Sequence, residues 1–248
     1  MKTTNKILII ALSLLLGLTI MLMILVRITT IIEPPVEGSG TIVTIEKNLE
    51  PFNNIKVGGN INLILYQADS VHLTIKGHDN LIDLLEISRE NEKIEFSLQR
   101  KIDRKSKLEL HLSFRQMESV TLSSGAQVSS KSNLNLDSVS IHASSGANAR
   151  LIIRGNHASI NTSSGSQVEM IGITNSVDIK SSSGASVICR EFEAQNVSVA
   201  TSSGASNDVN VTNNLNVTAS SGASVTYIGN PATKIERLSS GASLKSKN

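Results

Sequence analysis

A Ser-Ser-Gly motif followed by Ala or Ser recurs seven times in the second half of this chain. Successive motif glycines are separated by 21, 19, 19, 20, 18 and 19 residues. A fixed period of this length is the signature of a repeat fold, in which each unit stacks on its neighbours. The first serines are Ser123, Ser144, Ser163, Ser182, Ser202, Ser220 and Ser239, and the glycines are Gly125, Gly146, Gly165, Gly184, Gly204, Gly222 and Gly241.

Two apolar positions repeat with the motif. Five residues before each glycine stand Val120, Ile141, Ile160, Ile179, Val199, Val217 and finally Glu236. Three residues after it stand Val128, Ala149, Val168, Val187, Asn207, Val225 and Leu244. β-Branched residues at alternating positions indicate strands with one face inward. Aromatic residues are only 2% of the chain, so the core must be thin and aliphatic. We therefore predict an all-β solenoid over residues 120–248, with about 19 residues per coil.

The glycine has a geometric role in this prediction. A corner in each coil must reverse the chain sharply, and glycine adopts positive φ without steric penalty. The residue after it is small, which indicates little room inside the corner. We predict that the glycines are structural turn residues and that the serines form a structural ladder, with hydroxyls able to bond along the stack.

Residues 41–119 lack the motif but alternate between apolar and polar residues. Strands are predicted at Ile61–Leu65, Val71–Ile75, Ile94–Leu98 and Leu108–Leu112, and the charged segment Arg100–Lys107 reads as an exposed loop. Because the end of a solenoid needs protection against edge pairing, we predict that this region caps or begins the solenoid.

The N-terminal region, residues 1–40, has the pattern of a membrane anchor. Ile7–Val26 is twenty residues without a charge, long enough as a helix to span a bilayer. Lys2 and Lys6 precede it, which predicts a cytoplasmic N-terminal tip, a span at 7–26, a linker and an extracytoplasmic remainder. A cleaved signal peptide is the alternative, although its apolar region would be shorter and would end in small residues.

Several segments resemble the DUF2807 family, described as a putative auto-transporter adhesin head or GIN domain. The resemblance is carried by Phe52–Gly59, Asn60–Gln67, Leu73–Gly77, Tyr227–Ala232 and the repeated Ser-Gly-Ala, and covers residue 50 to the end. It implies a right-handed parallel β-helix in an envelope protein, and it brings no catalytic residues. The apparent membrane span departs from relatives that carry a secretion signal.

The sequence offers little for chemistry. It contains no nucleophile elbow, C-x-x-C, phosphate loop or H-E-x-x-H, so we predict no catalytic residues, no metal and no cofactor. Seven equivalent serines argue against a nucleophile, which needs one unique base. Cys189 alternates with Val187 and is predicted to be a buried apolar residue. The best carboxylate pair, Glu191 and Glu193 around Phe192, gives weak surface candidates.

Three functions are compatible with these patterns. The first is a non-catalytic, adhesin-like surface module that binds an envelope protein or glycan through flat Ser/Thr/Asn faces. The second is a structural or sensory ectodomain that self-assembles into a homo-oligomer or partners another membrane protein. The third is a polysaccharide-active enzyme that uses Glu191 and Glu193. A net charge of +2 excludes an extended basic field, so no nucleic-acid partner is predicted.

Overall fold

The computed structural model describes residues 3–29, 33–103, 105–106 and 108–247. The chain divides into two compact units, Met1–Pro35 and Val36–Asn248. The helices are α1 (Thr3–Thr29) and α2 (Asp79–Ile82). The strands are β1 (Ile42–Asn48), β2 (Asn54–Gly58), β3 (Asn62–Gln67), β4 (His72–His78), β5 (Leu85–Glu90), β6 (Lys93–Leu98), β7 (Leu108–Phe114), β8 (Ser119–Ser123), β9 (Gln127–Ser130), β10 (Leu134–Ala143), β11 (Asn148–Thr162), β12 (Gln167–Ser181), β13 (Ser186–Thr201), β14 (Ser206–Ala219), β15 (Ser224–Ile228), β16 (Thr233–Leu238) and β17 (Ser243–Ser246).

The first unit is built on helix α1, which covers the predicted segment Ile7–Val26. Within the described residues, no helix meets the length and apolar character of a membrane span. Residues 1–2 and 30–32, which belong to the predicted tip and linker, lie outside the described ranges. The anchor is therefore still a prediction.

The second unit is a parallel β-solenoid, as the repeat predicts. Strands β10 to β14 stack in parallel, each one coil above the last. The predicted inward positions are in register, because Ile141 pairs with Val120 below it and Ile160 above it. The second set aligns in the same way, with Ala149 between Val128 and Val168. The right-handed sense of the coil stays a prediction.

The core is a set of aliphatic columns that run the length of the solenoid. From Val120 to Val217 the first column is at most 1% exposed in every coil. Burying one such side chain contributes about 1.5–3 kcal/mol, so a narrow interior without Trp is sufficient when it is repeated coil after coil. The last described coil differs, because Lys234 and Glu236 stand where the coil before it has Leu215 and Val217. Their side chains form an ion pair of 3.4 Å and are exposed.

One position of the second column, three residues after the motif glycine, is polar. Asn207 lies between Val187 and Val225 and is fully buried. Its Nδ2 donates to Thr201 Oγ1 over 2.9 Å, and Ser181 Oγ lies 2.8 Å from both Asn207 Oδ1 and Thr201 Oγ1. These buried hydroxyl and amide groups satisfy one another, which is the condition for tolerating them in an apolar core.

The N-terminal part of this unit contributes coils in an order that the sequence does not suggest. Strands β2 and β3 pair in parallel with β8 and β9 on one side and with β6 and β7 on the other. The coil formed by β2 and β3, which come early in the sequence, therefore lies between two coils formed by strands that come later in the sequence. Beyond it, β4 and β5 pair antiparallel with β7 and β6, and β1 pairs antiparallel with β4. The four strands predicted before residue 119 correspond to β3, β4, β6 and β7.

Candidate binding site

The repeated corner is a four-residue turn. In the first copy the Ala126 amide donates to the Ser123 carbonyl over 3.1 Å, and the two residues between them have positive φ, 55° at Ser124 and 79° at Gly125. Positive φ at both central positions is the mark of a type I′ turn. The motif glycine has the positive φ that a corner requires, and the second serine of each motif also adopts the left-handed conformation, which costs a non-glycine residue about 1–2 kcal/mol.

Successive corners are joined through the backbone. The amide of Gly146 donates to the carbonyl of Ser164 in the next coil over 3.1 Å, and the amide of Ser163 donates to Ala143 in the coil before over 3.0 Å. Across residues 108–247, the hydroxyls of the first serines make no hydrogen bond. The ladder along this corner is therefore formed by main-chain groups, which leaves the serine hydroxyls available to a ligand.

A shallow groove, here called the corner groove, follows this edge of the solenoid and has a volume of about 590 Å³. One side is an outward row of paired positions in successive coils, Thr121, His142, Asn161, Lys180, Ala200 and Thr218. The other side is formed by the corner serines Ser144, Ser163, Ser182 and Ser202. With coils about 4.8 Å apart, the row extends about 24 Å along the solenoid.

The corner groove carries polar groups without internal partners. In the described part of the chain, neither Lys180 nor His142 forms an ion pair, and within the outward row only Asn161 makes a side-chain hydrogen bond, to Ser159 Oγ over 3.4 Å. Hydroxyl, amide and ammonium groups at a constant spacing can bind an extended polar chain lying along the groove. They do not form the nucleophile–base pair that covalent catalysis needs.

The predicted surface candidates around Phe192 separate in the structure. Glu191 and Glu193 are exposed, but Phe192 is completely buried opposite Gly172. The prediction that Phe192 belongs to the surface is therefore wrong, because a register shift after Cys189 leaves Arg190 and Glu191 both exposed and turns Phe192 inward. Neighbouring Arg190 pairs with Asp208 over 2.7 Å, so it does not hold the two glutamates together.

The described residues show little that could perform chemistry. None of them form a group of three His, Cys, Asp or Glu side chains able to hold a metal ion. Cys189 is buried, as predicted from its alternation with Val187. Burial, with a smaller contribution from the charge of Asp208, raises the pKa of the Cys189 thiol far above its ordinary value. The thiol is therefore protonated and unreactive rather than nucleophilic.

Two repeated features were not identified from the sequence. An asparagine ladder joins the coils through Asn156, Asn175, Asn196 and Asn214, with amide hydrogen bonds of 2.5, 3.3 and 2.6 Å. A second glycine series, Gly155, Gly172 and Gly229, has no room for a side chain, since an added Cβ would lie within 2.1 Å of a carbonyl oxygen in the neighbouring coil. Asparagine spacings of 19, 21 and 18 residues were the available signal for the ladder.

Comparison with known proteins agrees with this architecture. The structure is similar to a protein from Bacteroides fragilis described as a putative adhesin, with a TM-score of 0.78, 16% identity, and coverage of 86% of this chain and 100% of the other. It is also similar to a putative adhesin from Parabacteroides merdae, with a TM-score of 0.68 and 18% identity, over 87% of this chain and 100% of the other. A third similar structure is a protein from Parabacteroides distasonis described as a putative lipid binding protein. Its TM-score is 0.72 and its identity 13%, over 87% of this chain and 100% of the other. At these identities the likeness shows a shared fold.

Sequence comparison identifies the family. No curated protein sequence matches this chain. The DUF2807 family, described as putative auto-transporter adhesin, head GIN domain, matches residues 51–231, which is most of the chain and includes both the N-terminal coils and six of the seven corners. This chain therefore belongs to the DUF2807 family.

Proposed function

We propose that this protein is a non-catalytic, adhesin-like binding module of the cell envelope, which recognises an envelope protein or glycan with its corner groove. The observation that carries the proposal is the row from Thr121 to Thr218, whose polar side chains are in register, solvent-facing and largely without internal partners. Membership of a family described as putative adhesins supports the same role.

The N-terminal sequence supports a proposal for the location of the protein. We propose that helix α1 anchors the chain through the uncharged segment Ile7–Val26 and that the solenoid is extracytoplasmic. The exposed apolar side chains described between Ile9 and Met23 support this proposal, since an apolar helical surface is stable in lipid and unfavourable in water.

The test is binding of the full-length protein, immobilised on beads in detergent, to whole bacterial cells and to isolated envelope glycans. We expect saturable binding that falls at least about fivefold in the double variant Asn161→Ala, Lys180→Ala, because one ammonium and one amide contact are lost. The matched control, Gln167→Ala with Lys245→Ala, removes the same groups outside the corner groove and should bind normally. Binding that does not saturate, or equal loss in both variants, would refute the proposal.

The alternative role, a structural ectodomain, can be distinguished by sedimentation of the same protein preparation. A structural ectodomain that assembles with itself would sediment as an oligomer whose population rises with protein concentration. The binding module is expected to sediment as one species in the micelle and to bind its ligand in that state. Concentration-dependent oligomers without any saturable ligand would favour the structural role.

A further inference from the structure

A second concave site lies near the N-terminal coils, apart from the corner groove. It has a volume of about 550 Å³ and is here called the amide groove. One side is a continuous outward row across paired strands, Lys76, Glu109, Asn62, Gln127 and Asn148. Lys105 and Ser106 of the loop before β7 form the opposite side. At about 4.8 Å per strand the row is about 19 Å long.

The amide groove combines cationic donors with fixed acceptors. In the described part of the chain, neither Lys76 nor Lys105 has a carboxylate within ion-pair distance. Lys76 is the cross-strand neighbour of Glu109, but the Glu109 carboxylate instead accepts a hydrogen bond from Asn62 Nδ2 over 3.3 Å. Both ammonium groups are therefore available to an anion, while Glu109 can accept hydrogen bonds from hydroxyl groups and Gln127 can accept or donate them.

The loop side of the amide groove is held in position before any ligand arrives. Ser106 Oγ accepts a hydrogen bond from the Gly38 amide over 2.8 Å, and the Ser106 amide donates to the Asp103 carbonyl over 3.1 Å. The loop that the sequence predicts to be exposed is therefore held by hydrogen bonds, and Ile102 within it is buried and pairs with Val36. A preorganised site loses less entropy on binding.

From these observations we propose that the amide groove binds an acidic, hydroxyl-rich polymer, with its carboxylate or phosphate groups on Lys76 and Lys105 and its hydroxyls on Glu109 and Gln127. An elongated, polar groove without aromatic rings matches a hydrophilic chain lying along the solenoid rather than an apolar ligand. The site shares no residue with the corner groove, so the two proposals succeed or fail separately.

The experiment measures binding of the full-length protein in detergent to three polymers. Polygalacturonate supplies carboxylates, poly(glycerol phosphate) supplies phosphates, and dextran supplies hydroxyls without charge. We expect saturable binding to at least one acidic polymer and none to dextran, and the polymer that binds more tightly identifies the anionic group. The double variant Lys76→Gln, Lys105→Gln should bind at least about fivefold more weakly.

The matched control is Lys131→Gln with Lys245→Gln, which changes the net charge by the same amount at exposed lysines outside both grooves. Its affinity should equal that of the unmodified protein. Circular dichroism of both variants checks that the solenoid is intact. Equal weakening in the two double variants would show diffuse charge attraction and would overturn the proposal. Equal binding of dextran, or no binding of either acidic polymer, would overturn it as well.

Discussion

Substituting Gly172 by Ala should destabilise the solenoid far more than the same change at a Ser-Ser-Gly corner. Gly172 has φ of 122°, and an added Cβ would lie 2.1 Å from the Ile153 carbonyl oxygen, whereas ordinary contacts begin at 3.4 Å. Two coils would have to separate locally by more than 1 Å. Backbone strain of about 1–3 kcal/mol and overpacking of about 1–3 kcal/mol give about 2–6 kcal/mol together.

Gly184 is the matched control for this experiment. It has φ of 68°, but an added Cβ would meet nothing within 4 Å, so Gly184→Ala incurs only the left-handed backbone term of about 1–2 kcal/mol. Urea unfolding of the Val36–Asn248 unit, followed by far-ultraviolet circular dichroism, measures both free energies if the slopes agree. Equal loss of stability in the two variants would mean that carbonyl contact between coils does not govern this position.

Three further outcomes are expected. Asn207→Ala should lower the unfolding free energy by about 2–3 kcal/mol, because Ser181 and Thr201 lose a buried partner, and the triple variant with Ser181→Ala and Thr201→Val should be more stable than that single variant in urea. Ser183→Asn should raise the unfolding free energy by about 0.5 kcal/mol, and with it the urea midpoint, because Asn-Gly suits a type I′ turn better than Ser-Gly; an unchanged or lower midpoint would contradict that turn assignment. The Cys189 thiol should resist a thiol reagent until the protein unfolds. Since burial raises its folded-state pKa, the stability linked to this proton should be complete below about pH 8.5 and decline above it, and a Cys189→Ala variant should lack that decline.

The repeat could be predicted because one physical constraint recurs at every corner. Gly146 adopts positive φ and the side chain of Ile160 is buried, and both requirements are set by residues close to them in sequence. Local patterns of this kind are visible without an alignment. The inward position of Phe192 breaks this alternation, because Arg190 and Glu191 are both exposed at a register shift, and that irregularity belongs to the pairing with neighbouring coils.

The N-terminal order and both grooves could not be predicted for a related reason. Alternation identifies β2 and β6 as strands, yet it does not say which strands become neighbours. The amide groove depends on β4 reversing direction to place Lys76 beside Glu109 and on a loop folding over the row. Lys180 likewise becomes a groove residue only because the neighbouring coils place Asn161 and Ala200 on either side of it.

The interposed coil has a consequence for how the chain folds during synthesis. Strands β2 and β3 are synthesised before either of the coils that flank them. Their apolar side chains, such as Val57 and Leu63, therefore stay exposed until the flanking strands have been made. A ribosome-bound chain stalled before Lys93 should therefore be protease-sensitive, and one extending past Phe114 should be protected. Every coil after Ser130 can pair with a coil that has already formed when it is synthesised, so the second half of the protein can fold by adding one coil at a time.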